Sequence, residues 1–327
     1  MNNLDNLEQF AEEKRCSMCN KIKAVYKRKH SGQYLCADCF ISSVEKIVNK
    51  TISKYNLLVP SDKIVVGLSG GKDSITLLYN LKKIQRKTYN AKPLIALTID
   101  EGISNYSPIR VETAKKACND LDIEHEIISF KEYATKSLDQ IVELKEKSEN
   151  FRYPCNYCAT IKRRVLNDTA KELGGTVLAV GHNLTDVSET YLMNILYNRF
   201  HLIARGNLLR KDSSPRNKYI NRIFPLMKLP EREIELYAKV KNLHYYSPLC
   251  PYRKKYPILR KKVLNFLEEL KKTSPEIEFN LFNGALELSS ILGKKYSEKS
   301  PEFCTECGYP TSQPTKCRFC SLLEEIM

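Results

Sequence analysis

An α/β fold, a doubly wound parallel sheet flanked at both ends by small zinc-binding modules, is what this sequence predicts. Three observations carry that expectation. Short aliphatic and β-branched runs alternate with helical stretches through the middle of the chain, the pattern of a parallel sheet covered on both faces. A glycine-containing loop, SGGKDS, leads from the first of these runs straight into a helix. Paired Cys-x-x-Cys knuckles lie outside the alternating region, one set near each end.

The elements follow in order. At 327 residues the chain has room for two or three units. We divide it into an N-terminal four-cysteine module (1–45), an α/β catalytic domain (46–265), and a helical segment with a second four-cysteine module (266–327). Cys16, Cys19, Cys36 and Cys39 form two knuckles sixteen residues apart, a spacing that suits one tetrahedral Zn²⁺. Such a segment is too small to hold a core without a metal staple. CFISSVEKIVNKTISKYNLL then reads as a helix leaving the module. Lys63–Leu68 is a strand, and Asp73–Lys82 a helix with Leu77, Leu78 and Leu81 on one side. Pro93–Asp100 is a second strand. A helix follows in which Val111, Ala114, Cys118 and Leu121 share a face, so Cys118 is a core residue without chemistry. Glu124–Phe130 and Thr176–Gly181 complete the set of four strands. Arg210–Asn221 reads as a mobile polar loop, and Pro230–Lys241 and Tyr256–Lys272 as helices. Cys304, Cys307, Cys317 and Cys320 close the chain with knuckles nine residues apart, a second zinc pattern.

Charge and length narrow the class. Fifty-three basic against 38 acidic residues give +15, which favours a polyanionic partner such as nucleic acid. No apolar run approaches the ~18 residues a membrane helix needs, and MNNLDNLEQFAEEKR lacks the apolar core of a signal peptide. A cytoplasmic protein without membrane contact is expected, and its 12 cysteines read as ligands or reactive thiols rather than disulfides. Three cysteines stay outside the groups above: Cys155 and Cys158, in YPCNYCATIKRR, and Cys250.

Ligands of open α/β sheets bind beyond the C-terminal strand ends, where SGGKDS lies. Gly70 and Gly71 let the backbone approach an anion, the helix N-terminus favours it, and Lys72, Ser69 and Ser74 add a charge and hydroxyls. Val66 and Asp73 stand where a Walker A loop requires Gly and Ser or Thr. The six residues instead match the PP-loop of enzymes that split ATP between the α and β phosphates and transfer AMP to an oxygen. Gly67 and Thr98, on the first two strands, join this ATP-binding set. Gly181–Asp186 (GHNLTD), running on to Ser188, Glu189 and Thr190, ends the fourth strand. Gly181 approaches the same nucleotide, and Asp186 with Asp73 is a candidate Mg²⁺ ligand. His182 reads as a turn residue. DEGI, Asp100–Ile103, is the third element of the site.

Taken in order, CSMC, YLCADCF, SGGKDS, DEGI, PCNYC, GHNLTD with SET, CTEC and CRFC resemble the tRNA 2-thiolation family, of the NcsA and TtuA type, over nearly the whole chain. The resemblance implies an ATP- and Mg²⁺-dependent tRNA-uridine 2-sulfurtransferase. It would adenylate the C2 oxygen of a uridine and replace that oxygen with sulfur. It also implies two Zn²⁺ and a [4Fe–4S] cluster on Cys155, Cys158 and Cys250, whose three thiolates leave one iron open where clusters commonly take four. A cysteine persulfide relay is the metal-free alternative. Lys162, one helical turn beyond Cys158, matches a lysine of the TtuA branch that is held to be catalytic; a solvated helix lysine is the other reading. Arg163, Arg164, Lys254 and Lys261 are expected at tRNA phosphates. The expected partners are tRNA, a sulfur donor (sulfide or a ubiquitin-like thiocarboxylate carrier) and a second copy of the chain. Cys39, DEGI and SET favour the wobble uridine, and Lys162 the T-loop uridine. A PP-loop amide ligase, a 2-thiocytidine enzyme and a non-catalytic zinc-ribbon scaffold are the rival readings.

Overall fold

The computed structural model describes residues 14–149, 151–204, 206, 209–210, 218–256, 259–296 and 302–327. In the N-terminal module, β1 (Tyr26–Arg28) and β2 (Gln33–Leu35) form a hairpin that feeds α1 (Ala37–Lys54). The domain continues with β3 (Ile64–Gly67), α2 (Lys72–Gln85), β4 (Ile95–Asp100), α3 (Ser107–Leu121), β5 (Glu124–Ser129), α4 (Phe130–Ala134), α5 (Leu138–Lys145), α6 (Pro154–Glu172), β6 (Val177–Ala179), α7 (Leu184–Leu196) and α8 (Phe200–Ala204). It closes with β7 (Asn221–Ile223), α9 (Glu231–Val240), α10 (Pro251–Lys255), α11 (Leu259–Thr273) and α12 (Ile277–Tyr296). The C-terminal module holds β8 (Glu302–Phe303), β9 (Pro310–Thr311) and α13 (Arg318–Ile326).

The central sheet is five-stranded and parallel, in the order β5-β4-β3-β6-β7. The chain moves outward from β3 through β4 to β5, then returns to the other side of β3 as β6. That reversal opens a crevice above the adjacent ends of β3 and β6, and SGGKDS and GHNLTD are the loops that leave those two ends.

Strand alternation divides the interior in two. Val66, Ala96, Val177 and Ala179 face one core with α1, α2 and α9, whereas Val65, Ile95, Leu97 and Leu178 face the other with α5 and α6. Each terminal module extends one of these cores. Cys16, Tyr26, Leu35 and Cys36 join the first, and Leu322 and Ile326 of α13 join the second. A buried bidentate pair, Arg28 with Glu233 at 3.0 and 2.7 Å, also ties the N-terminal hairpin to α9. Helices α1 and α11 run across residues 45 and 265, so no exposed linker marks those boundaries.

Several sequence expectations shift. Phe130 leaves the third expected strand because Ser129 caps α4, with Glu132 completing a capping box. The expected helix Tyr256–Lys272 is α11, beginning at Leu259, with the short α10 ahead of it. Of the Cys118 face, Ala114, Cys118 and Leu121 are buried and Val111 is half-buried. Most of the expected loop Arg210–Asn221, residues 211–217, lies outside the described residues, as does most of the acidic N-terminal stretch. Asn221 opens β7, a strand not anticipated from sequence. Among the described residues no helix is long and apolar enough to cross a membrane.

Candidate functional site

The phosphate loop takes its shape from close approach. Gly70 has φ +72°, and a Cβ there would stand 2.5 Å from the Arg110 carbonyl oxygen, so only glycine fits. Gly181 presses on the same turn from the β6 side, where a Cβ would lie 3.0 Å from Asp73 C and Ser74 N. Gly71 caps α2, with Lys72 and Asp73 in its first turn. The Ser74 hydroxyl donates to Gly71 O (3.0 Å) and accepts the Ser69 N–H (3.0 Å), and the two serine hydroxyls lie 3.1 Å apart. These contacts hold α2 with its N-terminus toward the crevice, where the dipole favours an anion. Gly67 packs on Val180 at the strand end. Thr98 is buried beneath the loop, donating to Leu68 O and bonded to His125 Nε2, both at 2.8 Å. It braces the loop from below.

Charge gathers at this turn. Lys72 Nζ lies 2.6 Å from Glu231 and 2.9 Å from Asp73. Asp73 also accepts from Asn183 Nδ2 at 3.0 Å, and Asn183 forms a capping box with Asp186 at the start of α7. Burial raises the Asp73 pKa, and the Asp186 carboxylate adds to that against the pull of Lys72. Asn183 thus holds both the Asp73 and Asp186 carboxylates at the phosphate loop, a donor set suited to Mg²⁺.

The unassigned cysteines meet at the other side of the crevice. Cys155 lies in the first turn of α6, behind Tyr153 and Pro154, with Cys158 and Lys162 on successive turns of one face. Cys250 caps α10. Burial pushes the Cys158 thiol up to about 11, and the Cys155 and Cys250 thiols reinforce the shift. Burial raises Cys155 likewise, with Cys250 as its next cause. The three sulfurs are neighbours without the tight convergence of a one-ion site: among the described residues, only the two four-cysteine groups hold all their sulfurs within 4.8 Å of one another. A multi-iron cluster, wider than a single ion, fits that donor set.

Lys162 forms an ion pair with Glu101, the buried acid of DEGI, which is 1% exposed. Arg110 Nη1 reaches the same carboxylate at 3.0 Å, and its Nε donates to Ser69 O of the phosphate loop at 2.7 Å. Burial would raise the Glu101 pKa; Lys162 and Arg110 overcome it and hold it at about 2. The sequence marks DEGI as an element of the site without singling out Glu101. Its place one residue past the end of a buried strand was the available signal.

The four-cysteine groups are closed. Cys19 and Cys36 sulfurs are 3.9 Å apart, and Cys307 and Cys317 sulfurs 3.7 Å, close to the ~3.8 Å edge of a tetrahedron with ~2.3 Å Zn–S bonds. The Cys317 N–H donates to Cys304 Sγ at 3.2 Å. Such backbone donors overcome burial and lower Cys304 and Cys16 to about 6, whereas burial raises Cys36, Cys39, Cys317 and Cys320. Cys304, Cys307, Cys317 and Cys320 thus fit a zinc ion, as do Cys16, Cys19, Cys36 and Cys39.

The basic residues separate. Arg164, expected at RNA, turns inward instead: it pairs with Asp168 at 2.5 Å, donates to Cys307 Sγ at 3.4 Å and stacks 3.6 Å over Tyr309. Asp168 also accepts from the Tyr133 and Tyr309 hydroxyls, so the arginine fastens α6 to the C-terminal module. Arg163 stays exposed, its carbonyl accepting from Arg222 at 2.8 Å. Lys254 and Lys261 are exposed on α10 and α11. Arg260, which no motif singles out, lies 2.8 Å from Glu189 and donates to Thr190 Oγ1 at 2.6 Å. Burial raises Glu189 to about 7 in spite of that arginine. His182 packs its ring against Phe224, 5.4 Å between centroids.

A PP-loop domain family matches residues 40–267, and the N-terminal LIM domain of the 2-thiouridine synthetase TtuA matches residues 15–41. A probable sulfurtransferase of Methanocaldococcus jannaschii is 34% identical over 314 residues, covering 95% of this chain and 87% of its own. Cytoplasmic tRNA 2-thiolation protein 1 of Drosophila melanogaster is 34% identical over 312 residues, with the same two coverages. Among solved structures, the U34-tRNA thiolase NcsA of Methanococcus maripaludis, with its [4Fe–4S] cluster, superposes with a TM-score of 0.79 at 30% identity and 97% coverage of both chains. The chain belongs to the tRNA 2-thiolation family of PP-loop sulfurtransferases.

Proposed function

We propose that this protein replaces the C2 oxygen of the tRNA wobble uridine with sulfur, in an ATP-dependent reaction carried out in the cytoplasm. The observation that carries this reading is the convergence on one crevice of the SGGKDS turn, GHNLTD and the helix bearing Cys155, Cys158 and Lys162. The U34-tRNA specificity and the [4Fe–4S] cluster of the Methanococcus thiolase support the target base and the cofactor. The cytoplasmic 2-thiolation relatives support the location.

The phosphate loop, the α2 N-terminus and Lys72 bind the triphosphate, and Asp73 and Asp186 hold Mg²⁺. The uridine O2 attacks the α-phosphorus and pyrophosphate leaves. Lys162, held as an ammonium, stabilises the charge that grows on the α-phosphate. Sulfide then attacks C2 and AMP departs with the former carbonyl oxygen; where a carrier thiocarboxylate is the nucleophile, water afterwards cleaves the thioester so formed and the carrier leaves as its carboxylate. Cys155, Cys158 and Cys250 would hold a [4Fe–4S] cluster, which when bound supplies one iron free of protein ligands for the sulfur nucleophile. Arg163, Lys254 and Lys261 meet tRNA phosphates.

Anaerobically purified protein incubated with tRNA, ATP, Mg²⁺ and sulfide tests the reading. Equal yields of AMP, pyrophosphate and wobble 2-thiouridine are expected from iron-containing protein. Thiolation confined to the T-loop would correct the target, and full activity in colourless, iron-free protein would replace the cluster with a persulfide relay. AMP transfer to a small molecule without tRNA or sulfur would overturn the proposal.

A further inference from the structure

Glu101 is fixed from every side. The Asp100 carboxylate accepts the Gly102 N–H at 2.8 Å, closing the turn, and the Glu101 carbonyl accepts the Leu138 N–H of α5 at 2.8 Å. One carboxylate oxygen takes Lys162 and Arg110, and the other accepts the Ser107 hydroxyl at 3.1 Å. An anion this buried is stable only with its partners in place, and here the partners belong to different parts of the site. Lys162 stands on the cysteine helix, and Arg110 grips the backbone of the phosphate loop through Ser69 O.

We propose that Glu101 is a positioning residue for thiolation: it aims the Lys162 ammonium into the crevice and, through Arg110, locks the cysteine helix in register with the phosphate loop. This rests on the role given to Lys162 above. The carboxylate need not touch substrate. It fixes how far the lysine stands from the loop that holds the α-phosphate, and an error of about an ångström in such a distance can cost about 10²-fold in rate.

A double-mutant cycle separates this role from simple packing. Glu101→Gln keeps the shape and removes the charge; tRNA thiolation should slow about 10²-fold with the KM for ATP held within about threefold and iron content unchanged. Combined with Lys162→Ala, it should add nothing to the loss from Lys162→Ala alone, because both act through one ammonium. Arg110→Lys keeps a cation and loses the grip on Ser69 O, and should give a smaller loss with the same split between kcat and KM. It also serves where Glu101→Gln fails to fold. A wild-type rate in Glu101→Gln overturns the proposal, as do losses that multiply in the double variant, or unchanged turnover in Arg110→Lys. Unchanged turnover in Lys162→Ala instead removes the lysine's role in the proposed function.

Discussion

The closed four-cysteine groups and the open three-cysteine site use one side chain in opposite ways. In the closed groups the sulfurs approach to 3.7–3.9 Å, and backbone N–H groups aim at them. Cys16 and Cys36 pack into the first hydrophobic core, and Cys304, Cys317 and Cys320 form a small buried cluster of their own, so a metal held by either group would act as part of the fold. Cys155, Cys158 and Cys250 lie at helix starts on the rim of the crevice, with Lys162 on the next turn and the phosphate loop one arginine away. Their sulfurs do not converge to one-ion distances, as a donor set for a larger inorganic group would not. Saturated coordination builds structure, whereas incomplete coordination next to a nucleotide site permits chemistry.

Three substitutions would break or sharpen that contrast. Cys158→Ser should have the largest effect on activity, abolishing 2-thiouridine formation by nucleoside mass spectrometry while metal analysis still finds both zinc ions. Loss of zinc in that variant would erase the distinction between the two kinds of site. Cys304→Ser should act through the fold, releasing one zinc and destabilising the protein by on the order of 3–5 kcal/mol in urea unfolding. Its residual activity should track the folded fraction, with hydrogen exchange rising in α6 because Arg164 loses the partner at Cys307. Cys118→Ala should do least. This buried thiol has no ligand role, burial pushes it up to about 12, and about 1 kcal/mol is expected, with turnover and metal content unchanged.

Much of this was legible in the sequence because the signals are local. SGGKDS, the four apolar strands and the paired knuckles each declare themselves within a few residues. The fifth strand did not, since β7 is three residues at the sheet edge, NRI, with only Ile223 buried. Pairings across long separations were equally hidden. Arg164 reads as a surface cation beside Arg163 until Asp168 and Cys307, 143 residues away, draw it inward. Glu101 reads as an ordinary acid after a strand until Lys162 and Arg110 close on it. The docking of each module on its own face of the sheet depends on which strand residues point up or down together, and spacing in the sequence carries no trace of it.

The most direct test of the central claim is anticodon-resolved mass spectrometry of tRNA nucleosides from a strain lacking this chain, complemented with the wild type or with Cys250→Ser. Cys250, the proposed ligand most distant in sequence, is what would make the third site an open set of three. Wobble 2-thiouridine should vanish in the deletion, return with the wild type and stay absent with Cys250→Ser. Unchanged 2-thiouridine in the deletion, or full restoration by Cys250→Ser, would contradict the account.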